Sequence, residues 1–235
     1  VTNLSNAQIA GFNTADIAAL TTNQIKALTS NQIAGLSSVQ VSALTSAQIS
    51  ALKTNQIVAI ETADLSMMST LQTGALTSDQ VSSLTMAQIA ALKSAMTTGQ
   101  IAALETIDLA ALTTAQIASM TSAQVQALTT GEVQALTAGQ ISALTTAQII
   151  ALKTDQTASI ETADLAAMTT VQITSFTAAQ VSSLTMPQIA ALKTGQIAVL
   201  KTDQIRALTT DQIKALSSVH AAALTTAQVS AMTPG

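Results

Sequence analysis

The chain has no Cys, Trp or Tyr, only two Phe, two Pro and one His in 235 residues, and charged side chains make up 9% of it. Without cysteine there is no disulfide scaffold, thiolate zinc site, iron–sulfur cluster or sulfur nucleophile. The charge is −4, from 8 Lys+Arg against 12 Asp+Glu, which leaves no basic footprint for a phosphate backbone. Nucleic acid is not an expected partner. Apolar runs last a few residues and fall short of the roughly 20 that a membrane-crossing helix needs, so no membrane insertion is expected. A globular surface usually draws on about 25% charged residues; here Thr, Ser and Gln must take that place.

What is present is an octapeptide, L-T-x-x-Q-I-x-A. Its first position runs Leu4, Phe12, Leu20, Leu28 and onward to Leu84, resumes at Met96 and Leu104, and continues to Met232, giving 28 complete octads. One four-residue insertion, at 93–96, breaks the series. A longer period overlies it: ALKTNQIVAIETADL (51–65) returns as ALKTDQTASIETADL (151–165), and VSSLTMAQIAALK (81–93) as VSSLTMPQIAALK (181–193), both offset by 100 residues. A block duplication therefore followed the octad duplication. The whole chain, 1–235, reads as a single octapeptide-repeat solenoid and as an excerpt of a longer protein.

Two α-helical turns take about 7.2 residues, so an eight-residue pattern drifts by about 80° per repeat and leaves no straight apolar stripe along one rod. Nor do apolar residues at positions one, six and eight follow the period of two of a strand. One short helix per octad fits. [ST]-x-x-[EQ] is a capping box, in which the hydroxyl accepts from the third helical amide while Gln or Glu accepts from the cap's own amide. Thr21/Gln24, Thr29/Gln32, Thr45/Gln48 and Thr145/Gln148 are such pairs, and Leu20 with Ile25 is placed as a hydrophobic staple. Seven octads carry Lys or Glu at position two (Lys53, Glu61, Glu105, Lys153, Glu161, Lys193, Lys201), and each has Thr next, at 54, 62, 106, 154, 162, 194 and 202. Where position three cannot cap (Met86, Ala138, Ala178, Met186), position two is Thr. This complementarity predicts that the third-position Thr takes over as the cap wherever the second cannot serve. In octads with two threonines either hydroxyl fits.

Position eight is small (Ala27, Gly35, Ala43, Ala51), which lets neighbouring helices approach, and Pro187 falls in a first turn, where its missing amide is tolerated. The insertion predicts that the helix opened by Thr85 runs on to Met96. Helices this short are marginal alone, so the expected fold is all-α: a thin solenoid, or superhelix, of very short helices, stabilised by nearest neighbours.

Groups able to do chemistry are few. His220 replaces the Gln of its octad and has no companion for a charge relay or a metal, so a structural role is expected and no catalytic residue is identified. Glu-Thr-x-Asp recurs at Glu61/Asp64, Glu105/Asp108 and Glu161/Asp164. Two carboxylates three apart are weak candidates for a hard cation such as calcium; the favoured reading is charge well placed at the positive end of a helix, helped by Lys53 and Lys153 one octad earlier. The recurring Gln, in 22 of 28 octads, is replaced only by Asp16, Asp64, Asp108, Asp164, Glu132 or His220, and local capping explains the pattern. No cofactor is expected.

LTTDQIKAL (208–216) is similar to the opening helix of a transcription-activator-like effector repeat, though no second helix, base-reading loop or basic surface follows it. Over nearly its whole length the chain, with its tandem LTxxQI units, resembles the repeat regions of very long secreted bacterial proteins of the adhesin-like or haem-utilisation type. That resemblance implies an extracellular or cell-surface stalk, spacer or filament subunit without enzymatic activity. With His220 as the sole imidazole, no axial pair for haem is visible. Expected partners are neighbouring repeats of the same long chain, or further copies end to end. The alternative is a regular Thr face that binds a periodic ligand such as ice or a polysaccharide.

Overall fold

In the computed structural model, which describes residues 4–92 and 96–232, the octads become 28 short helices, from α1 (Asn6–Ala10) to α28 (Thr226–Met232), with no strand among the described residues. Helix α18 (Thr146–Ala151) shows how one octad builds one rod. The Thr145 hydroxyl accepts from the Gln148 amide at 3.3 Å, and Gln148 Oε1 accepts from the Thr145 amide at 2.7 Å. At the other end Leu152 leaves the helix (φ −56°, ψ 138°) while its amide donates to the Ile149 carbonyl at 3.2 Å, tightening the last turn. Thr145 is itself extended (φ −73°, ψ 161°), so a corner consists of two extended residues, Leu then Thr. No described residue has positive φ, and the corners therefore need no glycine.

In the octads with two threonines the second position caps: Thr21, Thr129, Thr145 and Thr209 accept the third helical amide, while Thr22, Thr130, Thr146 and Thr210 begin the helix. The octads with Lys or Glu at position two correct the expectation drawn from complementarity. Their N-caps are Lys53, Glu61, Glu105, Lys153, Glu161, Lys193 and Lys201, none with a side-chain cap bond, and the following Thr is the first helical residue. The cap is fixed by the corner, since the residue after Leu is the extended one whatever its side chain. Half the box survives in the Lys octads: Gln156 Oε1 accepts from the Lys153 amide at 2.8 Å. Accordingly Lys153→Thr should stabilise the fold by about 1 kcal/mol, whereas Thr154→Ala should change it by less than about 0.5 kcal/mol. Urea midpoints of the two variants check this; a larger loss for Thr154→Ala would restore the third-position cap.

The chain divides into two compact units, Val1–Gln116 and Ile117–Gly235, and both use the same packing rule. In the first, α6 (Ser46–Ala51) packs beside α3 (Thr22–Ala27) and α9 (Thr70–Gly74). In the second, α18 packs beside α15 (Ser122–Ala127) and α21 (Thr170–Ser175). Away from the insertion a rod thus lies against the third before and the third after it. The Gln side chain reaches one helix further back: Gln180, in α22 (Ala178–Ser183), donates from Nε2 to the carbonyls of Ile149 and Leu152, each at 2.7 Å. A superhelical turn therefore takes between three and four helices. The core follows from this geometry, with position six (Ile49, Ile149, Ile189, all 0% exposed) and position one (Leu52, Leu152, Phe176) buried between turns.

Thr73 and Thr157 stand at position six and are wholly buried. The Thr157 hydroxyl bonds to the Lys153 carbonyl at 2.9 Å, but that of Thr73 has no partner. An unsatisfied buried hydroxyl costs about 1–3 kcal/mol. Thr73→Val, which exchanges it for a methyl of the same shape, should raise stability by about 1 kcal/mol, with no gain for Thr157→Val. Thermal melts of both decide it.

The insertion departs from expectation. Helix α11 (Met86–Ala91) ends at Ala91, with Leu92 already extended (φ −65°, ψ 113°), and does not run on to Met96; Lys93, Ser94 and Ala95 lie outside the described residues. Gln100 donates to the carbonyls of Thr73 and Leu76, 27 and 24 residues back, where elsewhere the intervals are 31 and 28. Gln116 does the same with Ile89 and Leu92. Across the four extra residues the link therefore steps back three helices instead of four.

Candidate functional site

The polar side chains buried in this fold are mainly the fifth-position residues, and the structure uses both ends of their amides. Gln40, Gln72, Gln148, Gln172 and Gln212 are at most 4% exposed. In each, Oε1 accepts from the amide of its own N-cap, and Nε2 donates to helix-end and corner carbonyls 28 to 31 residues back. Those are the groups that every helix terminus leaves without an internal partner, amides at one end and carbonyls at the other. One side chain thus satisfies the start of its own rod and the end of the rod beneath. The sequence reading found the first bond and missed the second. The clue is the rarity of Glu: a capping box accepts Glu as readily as Gln, yet Glu132 is the only Glu at this position.

His220 occupies the Gln place in its octad as a structural substitute. Its Nδ1 accepts from the Ser217 amide at 3.4 Å, and the Ser217 hydroxyl accepts from the His220 amide at 3.3 Å. The hydroxyl is thus engaged with the backbone and not with the imidazole.

The three Glu-Thr-x-Asp octads start α8 (Thr62–Leu65), α13 (Thr106–Ala110) and α20 (Thr162–Ala167), with the Glu as N-cap and the Asp in the first turn. Both carboxylates therefore sit at the positive end of a helix. Asp64 is buried and accepts from the Ser38 hydroxyl. Among the described residues no group of three or more possible ligands gathers round any of these pairs. Lys53 and Lys153 form no ion pair with them; the one ion pair among the described residues is Lys214–Asp211, 3.2 Å and exposed. Burial pushes the Asp108 carboxyl above the ordinary carboxylate range, against a hydrogen bond from the Glu105 backbone, and the Glu105 charge adds to the rise. Burial, then the Glu161 charge, does the same to Asp164.

Because each of these two groups holds its proton more tightly folded than unfolded, the folded state gains stability as the pH falls through their raised pKa values. The gain is complete below the unfolded value and lost again as the pH rises to neutral. The double change Asp108→Asn, Asp164→Asn should flatten this part of the profile and melt higher than the parent at neutral pH. An unchanged profile of melting temperature against pH would refute the assignment.

Two open clefts mark the first and third of these octads. One, about 530 Å³, is lined by Glu161, Thr162, Thr185 and Gln188; the other, about 510 Å³, by Glu61, Thr62, Thr85 and Gln88. They are the same place in the two copies of the 100-residue block. Their amides are already committed, Gln188 to the Thr185 amide and the Ile160 carbonyl, and Gln88 to the Thr85 amide and the Ile60 carbonyl. Their chemistry is that of a corner lacking its cap hydroxyl.

A family model described as the ALTTAQ repeat matches seven times in tandem, at residues 1–30, 25–54, 57–94, 101–138, 157–194, 188–218 and 197–234. The chain belongs to the ALTTAQ repeat family. No curated protein matches it. The ALTTAQ copies span about four octads each, which is close to one superhelical turn, so the family unit coincides with the smallest piece that contains a helix and the partner to which its Gln donates. Among the described residues, no helix of this ALTTAQ chain is long and apolar enough to cross a membrane.

Proposed function

We propose that this chain is a non-enzymatic structural scaffold of a bacterial surface or extracellular protein, serving as a stalk or spacer. The observation that carries the reading is the use of the Gln side chain. The commonest buried polar group is consumed in joining one turn to the next, which is how a scaffold spends its chemistry and leaves nothing convergent for a substrate. Stability built from nearest-neighbour contacts lets such an array lengthen by adding turns. The likeness of the octads to those of long secreted adhesin-like proteins, together with the absence of cysteine, supports an exported setting. Antibody raised against the chain and applied to intact source cells tests the location. Labelling without permeabilisation is the expected result, and labelling only after permeabilisation would overturn it.

One observation favours ligand binding by the repeated face instead: third-position threonines, such as Thr22, Thr130, Thr146 and Thr170, are exposed and recur at the starts of rods along the chain. Thermal hysteresis or binding to a glycan array by the purified chain would establish it. A negative outcome in both retires it.

A further inference from the structure

Exposed aliphatic side chains are not scattered evenly over the rods. In the first unit Val39, Met67, Met86 and Ile107, 49–63% exposed, belong to the octads of α5 (Ser38–Ser42), α8, α11 and α13; among the described residues of that unit only Val58 and Leu71 stand elsewhere. These four rods pack in succession, α5 on α8, α8 on α11 and α11 on α13. In the second unit Ile150, Val171, Val199 and Val219, 37–62% exposed, belong to the octads of α18, α21, α24 (Thr194–Ala198) and α27 (Ser218–Ala223), which pack in the same way. The octad positions used are three, four, seven and eight, and residues three or four apart share one side of a helix. Each set therefore forms an apolar strip along one side of a stack.

Stacked rods are held in register. The Ser30 hydroxyl donates to the Asn55 carbonyl at 3.0 Å and the Ser46 hydroxyl to that of Leu71 at 3.4 Å, each 25 residues on, so position three of one rod meets position four of the rod stacked on it. Neighbouring turns cover a rod from above and below, whereas the strips point sideways, where no further turn of the same array would cover them. Charge separates the two strips. Glu61 and Glu105, the exposed N-caps of α8 and α13, border the first, and the Asp64 and Asp108 carboxyls on the same rods are buried. The second is bordered by Lys193, the exposed N-cap of α24, and its four helices hold no Asp, Glu, Lys or Arg. The exposed charges Asp155, Asp203 and Asp211 of that unit stand on other rods.

We infer that copies of this chain associate side by side, the first strip of one docked on the second strip of another, aliphatic against aliphatic, with Glu61 and Glu105 toward Lys193. Charge selects this pairing: the first strip against itself would set carboxylates against carboxylates, and the second would bring two Lys193 ammonium groups together. A strip four rods long measures roughly 35 Å at the usual rod spacing, and one contact of that length and one rod's width is smaller than the about 800 Å² a side that a lasting complex buries. A single contact is therefore transient, and arrays gain strength by repeating it along their length. The inference goes beyond the scaffold reading and does not rest on cellular location, so surface labelling and side-by-side association fail independently.

Sedimentation equilibrium over a concentration series reaching the solubility limit tests it. Val39→Asp with Ile107→Asp blocks the first strip, and Val171→Asp with Val219→Asp blocks the second. All four are exposed fourth positions, where Asp79, Asp155 and Asp203 already stand, so helix content by circular dichroism should match the parent. The parent should associate reversibly. Each blocked variant alone should have its dissociation constant raised at least about tenfold, the effect of setting charge into an apolar contact, and an equimolar mixture of the two should regain the parent's affinity but stop at a one-to-one dimer. Lys193→Glu should weaken association, and adding Glu61→Lys with Glu105→Lys should restore it. A parent that stays monomeric throughout, association that both blocked variants keep, or a reversed charge pattern that restores nothing would overturn the proposal.

Discussion

Replacing Gln180 by Glu should destabilise the protein by about 3 kcal/mol at neutral pH, although the change is isosteric and keeps the capping box. Gln180 is 2% exposed, with Oε1 accepting from the Thr177 amide at 2.8 Å. A carboxylate serves that bond as well as an amide does. The loss falls on the other atom: Nε2 donates to the Ile149 and Leu152 carbonyls at 2.7 Å, and a carboxylate oxygen there faces two carbonyl oxygens in a dry contact. Removing the donor leaves the Leu152 carbonyl without a partner, costs that of Ile149 its bond across the turns, and adds an unpaired buried charge. The carboxyl would respond by titrating above its usual range, so the deficit should shrink as the pH is lowered, because protonation restores one donor. The same substitution at Gln24, whose Nε2 has no acceptor, should cost less than about 0.5 kcal/mol. Equal effects at the two sites would mean that the amide only caps.

Truncating Ile149 to Ala should cost about 3 kcal/mol, the range for deleting a wholly buried aliphatic side chain. Ile149 is 0% exposed and sits under the turn that carries Gln180, so its loss opens a cavity that two turns share. Val229 stands at the same octad position but is 49% exposed, and Val229→Ala should change stability by less than about 0.5 kcal/mol. A linear array need not melt in one step. Hydrogen exchange of the amides in α18 and α22 is therefore the better measure, with protection falling there for Ile149→Ala and remaining near the parent's for Val229→Ala.

The rods were legible in the sequence and their stacking was not. Leu, Thr and Gln at positions one, two and five announce a corner, a cap and a box, and α3 and α18 are built that way. How many rods complete a turn depends on the angle between successive helices, which is set by Leu–Thr dihedrals that no residue type displays. The third-position threonines misled because Thr54 and Thr154 supply a hydroxyl next to a Lys, while the backbone has already made that Lys the extended residue. The insertion misled too: four residues look like an added helical turn, but α11 ends at Ala91, and Gln100 and Gln116 reach back three helices across it instead of four. The Glu-Thr-x-Asp octads were found by composition and placed by the structure at helix starts, where burial and mutual repulsion act on Asp108 and Asp164.

Side-chain amide exchange, followed by NMR residue by residue, bears most directly on the tie between turns. The Nε2 hydrogens of Gln148, Gln180 and Gln212 should exchange far more slowly than those of Gln8 and Gln24, whose amides have the same capping bonds and no carbonyls beneath them. Exchange at one common, unprotected rate in all five would contradict the account.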